Sequence, residues 1–323
     1  MKFLTRNGRM RVAAFLGAAS FVAPAIASPD LTVYGNLDLG LVKERGTAAR
    51  LDRGYNNWLG IKGQENLGGG LSAIFDIQTR FNPDTGQQER PLTFWQGEST
   101  VGLRSKSAGT LRLGRALTPL WQNVWAYEPW ANSGFNGSLA TYQTGSYSSD
   151  GVNDAALGYA NFSRIGNGVF YSTPEFSGMR VDLASEIERA DGADARTAGA
   201  AFNYANGPLA AMLSCERNAR KDDICFLGAS YRLGAATVMG SYSRANLAND
   251  VRERNIVLAG TYAIGADSLR AGYGRSDGSG DIHKISVGYV HALSGRTDLY
   301  ADLYREDWIE SANGMAIGMS HTF

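Results

Sequence analysis

Apolar and polar side chains alternate with a period of two along most of this chain, from Leu31 almost to its end. A β-strand with one apolar face produces this alternation, whereas an amphipathic helix repeats its apolar residues about every 3.6 positions. Helical periodicity is almost absent. The alternation therefore predicts an all-β chain whose strands each have one apolar and one polar face.

Short and long connections alternate between the predicted strands. Seven short turns, such as 66–70 and 205–208, alternate with eight longer connections, of which 116–167 is by far the longest. These connections join sixteen strands. Short turns at one rim and long loops at the other are typical of an outer-membrane barrel, although a soluble sandwich or propeller also alternates. We predict a 16-stranded antiparallel transmembrane β-barrel.

Charged residues within the predicted strands lie on the face opposite to the apolar one. Examples are Asp38, Asp76, Arg80, Arg180 and Glu186. A charged side chain that faces lipid costs about 2–4 kcal/mol at the bilayer midplane, so this face borders water. Sixteen strands enclose a water-filled lumen rather than a packed core. The strand number therefore predicts a channel.

Composition excludes several other classes of protein. The 323 residues include 31 Lys and Arg against 31 Asp and Glu, so there is no basic surplus for a nucleic-acid partner. Outside the N-terminus, no apolar run approaches the roughly 18 residues of a membrane-spanning helix. The histidines, His283, His291 and His321, lack the spacing of metal ligands, and no cofactor is expected.

Residues 1–27 have the pattern of a secretion signal. A basic start is followed by the apolar stretch from Val12 to Phe21 and by Ala25-Ile26-Ala27, a small-residue cleavage site. An amphipathic first helix is the alternative, but no acidic residue precedes Asp30. We predict that residues 1–27 are removed on export and that residues 28–323 form the barrel.

Cys215 and Cys225 flank one predicted connection symmetrically, and both have the lipid-facing parity of Leu213 and Leu227. Opposed positions of an antiparallel hairpin bring the Cβ atoms to about 4.5–5.5 Å, close to the range of a disulfide. Export through an oxidising compartment favours the bond. The alternative is two reduced cysteines within the lipid band.

Seven strings of the chain match one known family in order and spacing. They are VYGNLDLG (33–40), NWLGIKGQENLGGGL (57–71), STVGL (99–103), GTLRLGRALTPLW (109–121), NGVFYSTPEFSGM (167–179), HALSGRTDLYAD (291–302) and GMSHTF (318–323). Together with the terminal Phe323, they resemble the general diffusion porins of Gram-negative bacteria, especially the beta-proteobacterial branch. The resemblance covers nearly the whole predicted barrel.

The resemblance implies a homotrimer in the outer membrane, in which each barrel passes small hydrophilic solutes and ions. It also implies that the third external loop, 116–167, folds inward and narrows the pore. Trp121, Trp125 and Trp130 support this because apolar surface is cheaper to pack than to expose; an external flap is the alternative. Phe323 matches the residue read by the barrel assembly machinery, and it also suits an interface with outer-membrane lipid.

The family's pore has arginines on its wall, and Arg115 and Arg164 match two of them. Arg112 has the lumen-facing parity and adds to them, whereas Arg115 has the opposite parity and must enter the pore at a bulge or beyond the strand. Trp58 stands where the family's motif has an arginine, and Lys62, of the same parity, restores part of the charge. Arginines at the rim that pair with loop carboxylates are the alternative.

The acidic half of the predicted constriction is thin. Glu128 is the candidate for its loop side, with a solvated loop-tip carboxylate as the alternative, and Asp38 and Asp76 add negative charge on the wall. The excess of arginines predicts a weak anion preference. A substrate-specific porin for a small anionic solute is the alternative function. An outer-membrane phospholipase is disfavoured because the chain has no His-x-Ser string.

Overall fold

A computed structural model of the chain describes residues 30–133, 135–145, 148–151, 163–278, 280–307 and 311–323. The predicted signal, 1–27, lies outside the described residues. Sixteen long strands form within these ranges: β1 Asp30–Glu44, β2 Trp58–Gly68, β3 Leu71–Asn82, β4 Glu98–Ser105, β5 Gly109–Leu117, β6 Arg164–Ser172, β7 Met179–Glu186, β8 Ala198–Asn206, β9 Leu209–Arg217, β10 Asp223–Leu233, β11 Ala236–Asn246, β12 Arg252–Ile264, β13 Asp267–Ser276, β14 Ile282–Ala292, β15 Thr297–Asp307 and β16 Ser311–Thr322.

The sheet closes on itself through its first strand. The N-terminal part of β1 pairs with β2, from Asp30 opposite Gln64 to Asn36 opposite Trp58. Its C-terminal part pairs with β16, up to Glu44 opposite Gly314. All other neighbours in the sheet pair antiparallel and in chain order. The prediction of a closed 16-stranded antiparallel barrel is therefore confirmed.

The two faces of the wall alternate as the sequence pattern predicts. On β9, Leu213 is 54% exposed and points outward, whereas its neighbours Met212 and Ser214 are each 1% exposed and point inward. The same rule holds on β10 for exposed Leu227 and buried Phe226. The outward apolar side chains form the surface that the hydrocarbon of the membrane contacts.

One rim of the barrel carries the connection 118–163, and we call it the rim of 118–163. The connections at this rim are less regular than the sequence pattern predicts. The first four are long, but 218–222, 247–251 and 277–281 have only five residues each. At the first of these hairpins an oppositely charged cross-strand pair continues the ladder, since the Arg217 Nε atom lies 2.6 Å from Asp223 Oδ1. The predicted segregation of connection lengths is therefore wrong for the later hairpins. Two short strands, Arg50–Asp52 and Gln87–Gln88, lie within the first two connections.

Phe323 ends the chain at the seam of the barrel. Its backbone exchanges two hydrogen bonds with Gly35, at 3.1 and 3.2 Å. A Cβ atom at Gly35 would lie 2.4 Å from the Phe323 ring, so the glycine makes room for that ring. These contacts give Phe323 a structural role in closing the sheet between β1 and β16.

The connection 118–163 contains the helices α1 Pro119–Asn123 and α2 Thr141–Thr144, and a 3₁₀ turn, Val124–Tyr127. Thr118 caps α1, since its hydroxyl accepts a hydrogen bond from the Trp121 amide at 3.2 Å. Among the described residues, no helix has the length and apolar character that a membrane crossing requires.

Cys215 and Cys225 lie directly opposite each other on β9 and β10, with their sulfur atoms 2.07 Å apart. We predict that the exported protein carries this disulfide, because directly opposed positions bring the two side chains together. It should stabilise the protein by about 2–3 kcal/mol, mainly by restricting the unfolded chain. Intact mass after alkylation without reductant tests the bond. No label is expected, and two labelled thiols would contradict the prediction.

Candidate functional site

The connection 118–163 packs against the inner face of the barrel. Leu120, Val124 and Tyr127 form an apolar cluster with side chains of β8–β11, among them Met212 and Phe226. These strand residues alternate with the outward apolar ones, so they belong to the inner face. The described start of the segment, from residue 118 to residue 127, therefore lies within the lumen, along the wall formed by β8–β11.

A second apolar cluster fixes the middle of this segment. Trp130, Leu139 and Tyr142 pack around Val257 of β12. The Tyr142 hydroxyl donates a hydrogen bond of 2.6 Å to Glu306 of β15. The described part of the segment is therefore attached to the inner face at several strands between β8 and β15.

A buried ion pair completes the attachment. Arg270 and Asp302 are 4% and 2% exposed, and the Arg270 Nη2 atom lies 2.8 Å from Asp302 Oδ2. Asp302 also accepts a hydrogen bond of 3.0 Å from Trp130 Nε1, and Arg270 donates one to the Tyr55 hydroxyl. The pair thus joins the segment 118–163 and the connection 45–57 to the wall. The sequence pattern does not predict this pair, although both residues lie on the polar faces of their strands.

Glu128 does not face the lumen as predicted. Its side chain is 3% exposed and accepts hydrogen bonds from the backbone amides of Trp130, Asn132 and Leu139 and from the Ser138 hydroxyl. Burial raises the pKa of Glu128 above the ordinary value of a glutamate, and these hydrogen bonds oppose the rise. Its carboxylate organises the segment internally, so the prediction that it forms the acidic side of the constriction is wrong.

Asp38 has a similar structural role. It is 1% exposed and accepts hydrogen bonds from the backbone amides of Gly54 and Tyr55 and from the Tyr300 hydroxyl. These contacts hold the connection 45–57 against β1 and β15. The prediction that Asp38 adds charge to the pore wall is therefore wrong, because its carboxylate is covered by that connection.

The wall formed by β1–β5 carries charges of both signs. Lys62, Asp76, Glu98 and Arg112 line a cleft of about 480 Å³ that Gln122 of α1 also borders. The Arg112 guanidinium pairs with Glu98 and donates a hydrogen bond of 3.1 Å to Gln122 Oε1. The structure thus brings Lys62, Asp76 and Arg112 together on one wall, and it adds Glu98, which the sequence analysis missed.

Asp76 and Lys62 are held by the same aromatic side chain. The Tyr34 hydroxyl donates a hydrogen bond of 2.6 Å to Asp76 Oδ1, and Lys62 Nζ lies 4.8 Å from the centre of the Tyr34 ring. Trp58 begins the same strand as Lys62, opposite Arg80 of β3, and is partly buried. Trp58 therefore stands beside a cationic residue, near the rim of 118–163.

Arg115 and Arg164 meet at an irregularity of the wall. The pairing of β5 with β6 shifts between Gly114 and Ala116, which is the kind of bulge expected for Arg115. The Arg115 Nε atom donates to the Gln96 carbonyl at 3.3 Å, and Arg164 Nε donates to the Gly97 carbonyl at 3.0 Å. Both arginines are thereby anchored on the connection 83–97.

These two arginines belong to a larger group, which we call the arginine cluster. Arg80 and Arg164 interact electrostatically with Glu89, and every other member of the cluster interacts with one or both of these two arginines. They are Arg53, Arg80, Arg90, Arg115 and Arg164.

Glu89 is the carboxylate at the centre of this cluster. It accepts hydrogen bonds of 2.9 Å from Arg53 Nη2 and from Gln96 Nε2. The Arg53 guanidinium also lies 4.4 Å from the ring centre of Phe135, in the segment 118–163. The cluster therefore reaches that segment through Arg53. Arg53, Arg90 and Glu89 were not predicted as site residues because they lie in connections, whose spatial neighbours no periodicity predicts.

Within the ranges that the structure describes, no three His, Cys, Asp or Glu side chains are grouped so that they could hold a metal ion.

Comparisons with known proteins agree with this architecture. The pattern of the Gram-negative porin family matches residues 12–307. Outer membrane porin protein 32 of Delftia acidovorans is 29% identical over 309 residues, which cover 86% of this chain and 84% of the relative. An outer membrane porin protein of Bordetella pertussis is 26% identical over 257 residues, or 68% of this chain and 63% of the relative. The solved structure of an anion-selective porin from Comamonas acidovorans superposes with a TM-score of 0.78 at 26% identity, covering 91% of this chain and 100% of that one.

Proposed function

The chain belongs to the Gram-negative porin family, and on this premise we propose that solutes cross its barrel through the gap between the segment 118–163 and the wall formed by β1–β5. The protein is an outer-membrane channel for passive diffusion of small hydrophilic solutes and ions, and it is not an enzyme. The observation that carries the proposed path is the cleft lined by Lys62, Asp76, Glu98 and Arg112, across which Gln122 of the inward segment contacts Arg112.

The charges along this path are arranged to favour anions weakly. The wall residues Lys62 and Arg112 are balanced by Asp76 and Glu98, whereas the arginine cluster places five guanidinium groups around Glu89 near the rim of 118–163. Charge in a narrow, low-dielectric passage acts more strongly than surface charge, which salt screens beyond about 8 Å. The solved porin from Comamonas acidovorans is described as anion-selective, which supports the same sign here.

Neutralising part of the arginine cluster tests the selectivity. We expect the double substitution Arg115→Gln and Arg164→Gln to move the reversal potential in a salt gradient toward cation preference, because two positive charges leave the passage. The measurement is the zero-current potential of single channels in planar bilayers. Arg189→Gln, at an exposed arginine of the connection 187–197, is the matched control and should leave that potential unchanged. An unchanged reversal potential in the double variant would show that neither arginine contributes to ion selectivity.

The arginine cluster also favours a second function, a substrate-specific porin for a small anionic solute. Such a porin would bind its solute, so flux would saturate and the solute would block the ion current. Linear flux limited only by solute size supports the general diffusion channel instead. The same bilayer recordings distinguish the two.

Assembly and export are further parts of the proposal. We infer a homotrimer, because the resemblance to general diffusion porins implies it and because Leu92 and Phe94 in the connection 83–97 are 72% and 58% exposed, apolar surface that a neighbouring copy would cover. Closure of conductance in three equal steps supports the trimer. We also propose that residues 1–27 are removed on export and that the barrel assembly machinery recognises Phe323.

A further inference from the structure

Basic side chains gather on the outward face of β11–β13, at the rim of 118–163. Arg244, Arg252 and Arg254 are exposed and share the outward parity of the apolar residues of their strands. Arg275 on β13 is also exposed and lies opposite Ile256. We call these four residues the outer arginine patch. It faces the membrane side of the wall and is separate from the channel.

The patch carries more positive charge than its neighbours neutralise. The Arg254 Nε atom lies 3.0 Å from Asp277 Oδ2, and Arg275 Nε lies 2.7 Å from Asp281 Oδ1. Among the described residues, Arg244 and Arg252 form no ion pair with a carboxylate. Four guanidinium groups thus face two carboxylates, which leaves a local surplus of positive charge.

The register of the strands brings like charges together. Arg244 and Arg254 are directly opposed in the pairing of β11 with β12, a position at which side chains of the same charge destabilise a sheet. An anion between the two guanidinium groups would relieve this repulsion. Arginine is suited to the task because its planar fork binds phosphate oxygens in a bidentate manner.

An apolar groove lies beside the guanidinium groups. Tyr242 and Ile256 are directly opposed on β11 and β12. Each lies two residues further from the rim than Arg244 and Arg254, and therefore closer to the centre of the membrane. Together with Arg254, Arg275 and Asp277, they line a surface groove. The outward apolar face continues below it with Leu258, which is 63% exposed. The surface therefore pairs an anion-binding upper edge with a lower part suited to hydrocarbon.

We propose that the outer arginine patch binds a phosphorylated, acylated lipid of the external leaflet, with phosphate groups at Arg244, Arg254 and Arg275 and acyl chains over Tyr242 and Ile256. A lipid fits better than a soluble anion because the groove continues directly into the membrane-facing surface. The site lies outside the channel, so it goes beyond the diffusion function. A bisphosphorylated acyl disaccharide, the chemistry of lipid A, satisfies both parts of the surface.

Native mass spectrometry of the folded, delipidated protein in detergent tests the proposal. The probe is hexa-acylated lipid A with two phosphates, compared with its monophosphorylated form. We expect the bisphosphorylated lipid to bind more tightly. The triple substitution Arg244→Gln, Arg254→Gln and Arg275→Gln is expected to weaken its binding by about tenfold or more, because charge-assisted hydrogen bonds to phosphate are lost.

Two further variants control this experiment. Arg232→Gln removes an exposed arginine at the opposite rim of β10 and should leave lipid binding unchanged. Asp277→Asn removes a carboxylate that competes for Arg254, so it should strengthen binding, and it serves as the test if the triple variant does not fold. Channel conductance should remain at the wild-type value in every folded variant, which separates a failure of the lipid site from a failure of the channel.

Several outcomes would overturn the lipid site. Equal binding of the two lipid A forms would show that the phosphates do not matter. Unchanged binding by the folded triple variant, or unchanged or weaker binding by Asp277→Asn, would exclude the outer arginine patch. Self-association that depends on the three arginines, without lipid binding, would assign the patch to a second copy of the chain.

Discussion

Replacement of Asp302 with asparagine is expected to lower the free energy of unfolding by about 3–5 kcal/mol, because the change leaves the buried Arg270 guanidinium without its counter-charge. The same substitution weakens the contact that joins Trp130 to the wall. The segment 118–163 should therefore loosen, and single-channel conductance should rise. Denaturant unfolding in detergent and bilayer recordings measure the two effects.

The matched control for this prediction is Asp298→Asn. Asp298 lies four residues before Asp302 on the same face of β15 and is partly buried near the short-turn rim. The control should change neither stability nor conductance by a comparable amount. Wild-type stability and conductance in Asp302→Asn would show that the ion pair does not hold the segment.

Replacement of Asp38 with alanine is expected to lower the free energy of unfolding by about 3 kcal/mol, since each hydrogen bond to a charged group contributes roughly 1.5–3 kcal/mol. The variant loses the contacts to Gly54, Tyr55 and Tyr300. Its reversal potential should remain close to wild type because the carboxylate is buried away from the solute path. Denaturant unfolding and reversal potential together separate a structural role from a role in selectivity.

Asp30→Ala controls for the loss of a carboxylate from the same strand. Asp30 has the same parity as Asp38 but is exposed at the short-turn rim, so we expect little change in stability. If Asp38→Ala instead shifted the reversal potential while stability stayed at the wild-type value, Asp38 would be assigned a role in ion selectivity at the pore wall.

The barrel could be predicted from the sequence because its alternation follows directly from the pleat of a strand between lipid and water. Positions that face the hydrocarbon are predominantly apolar, so Leu213 and Leu227 indicate the parity of their strands without any knowledge of their neighbours. The bulge at Arg115 could be predicted for the same reason, since its parity conflicts with that of Arg112.

The partners of inward polar residues could not be predicted in this way. Asp38 and Glu128 both have the residue type of a pore charge, but backbone amides of folded connections cover them. Which backbone amides contact a carboxylate depends on the path of the connections 45–57 and 118–163. Irregular segments have no sequence periodicity from which that path could be predicted. The same reason explains why Arg53, Arg90 and Glu89 were missed. Inward parity shows which residues are available to line a pore, and the connections decide which of them do.

The position of the solute path is tested most directly by charging one point on the proposed wall. Lys62→Cys places a thiol on the exposed part of the cleft beside Tyr34, and Leu258→Cys places one on the lipid-facing surface as the control. We predict that an anionic methanethiosulfonate reagent lowers the single-channel conductance of Lys62→Cys and leaves that of Leu258→Cys unchanged. Full conductance through Lys62→Cys channels after mass spectrometry has verified complete labelling would contradict a path along the wall formed by β1–β5.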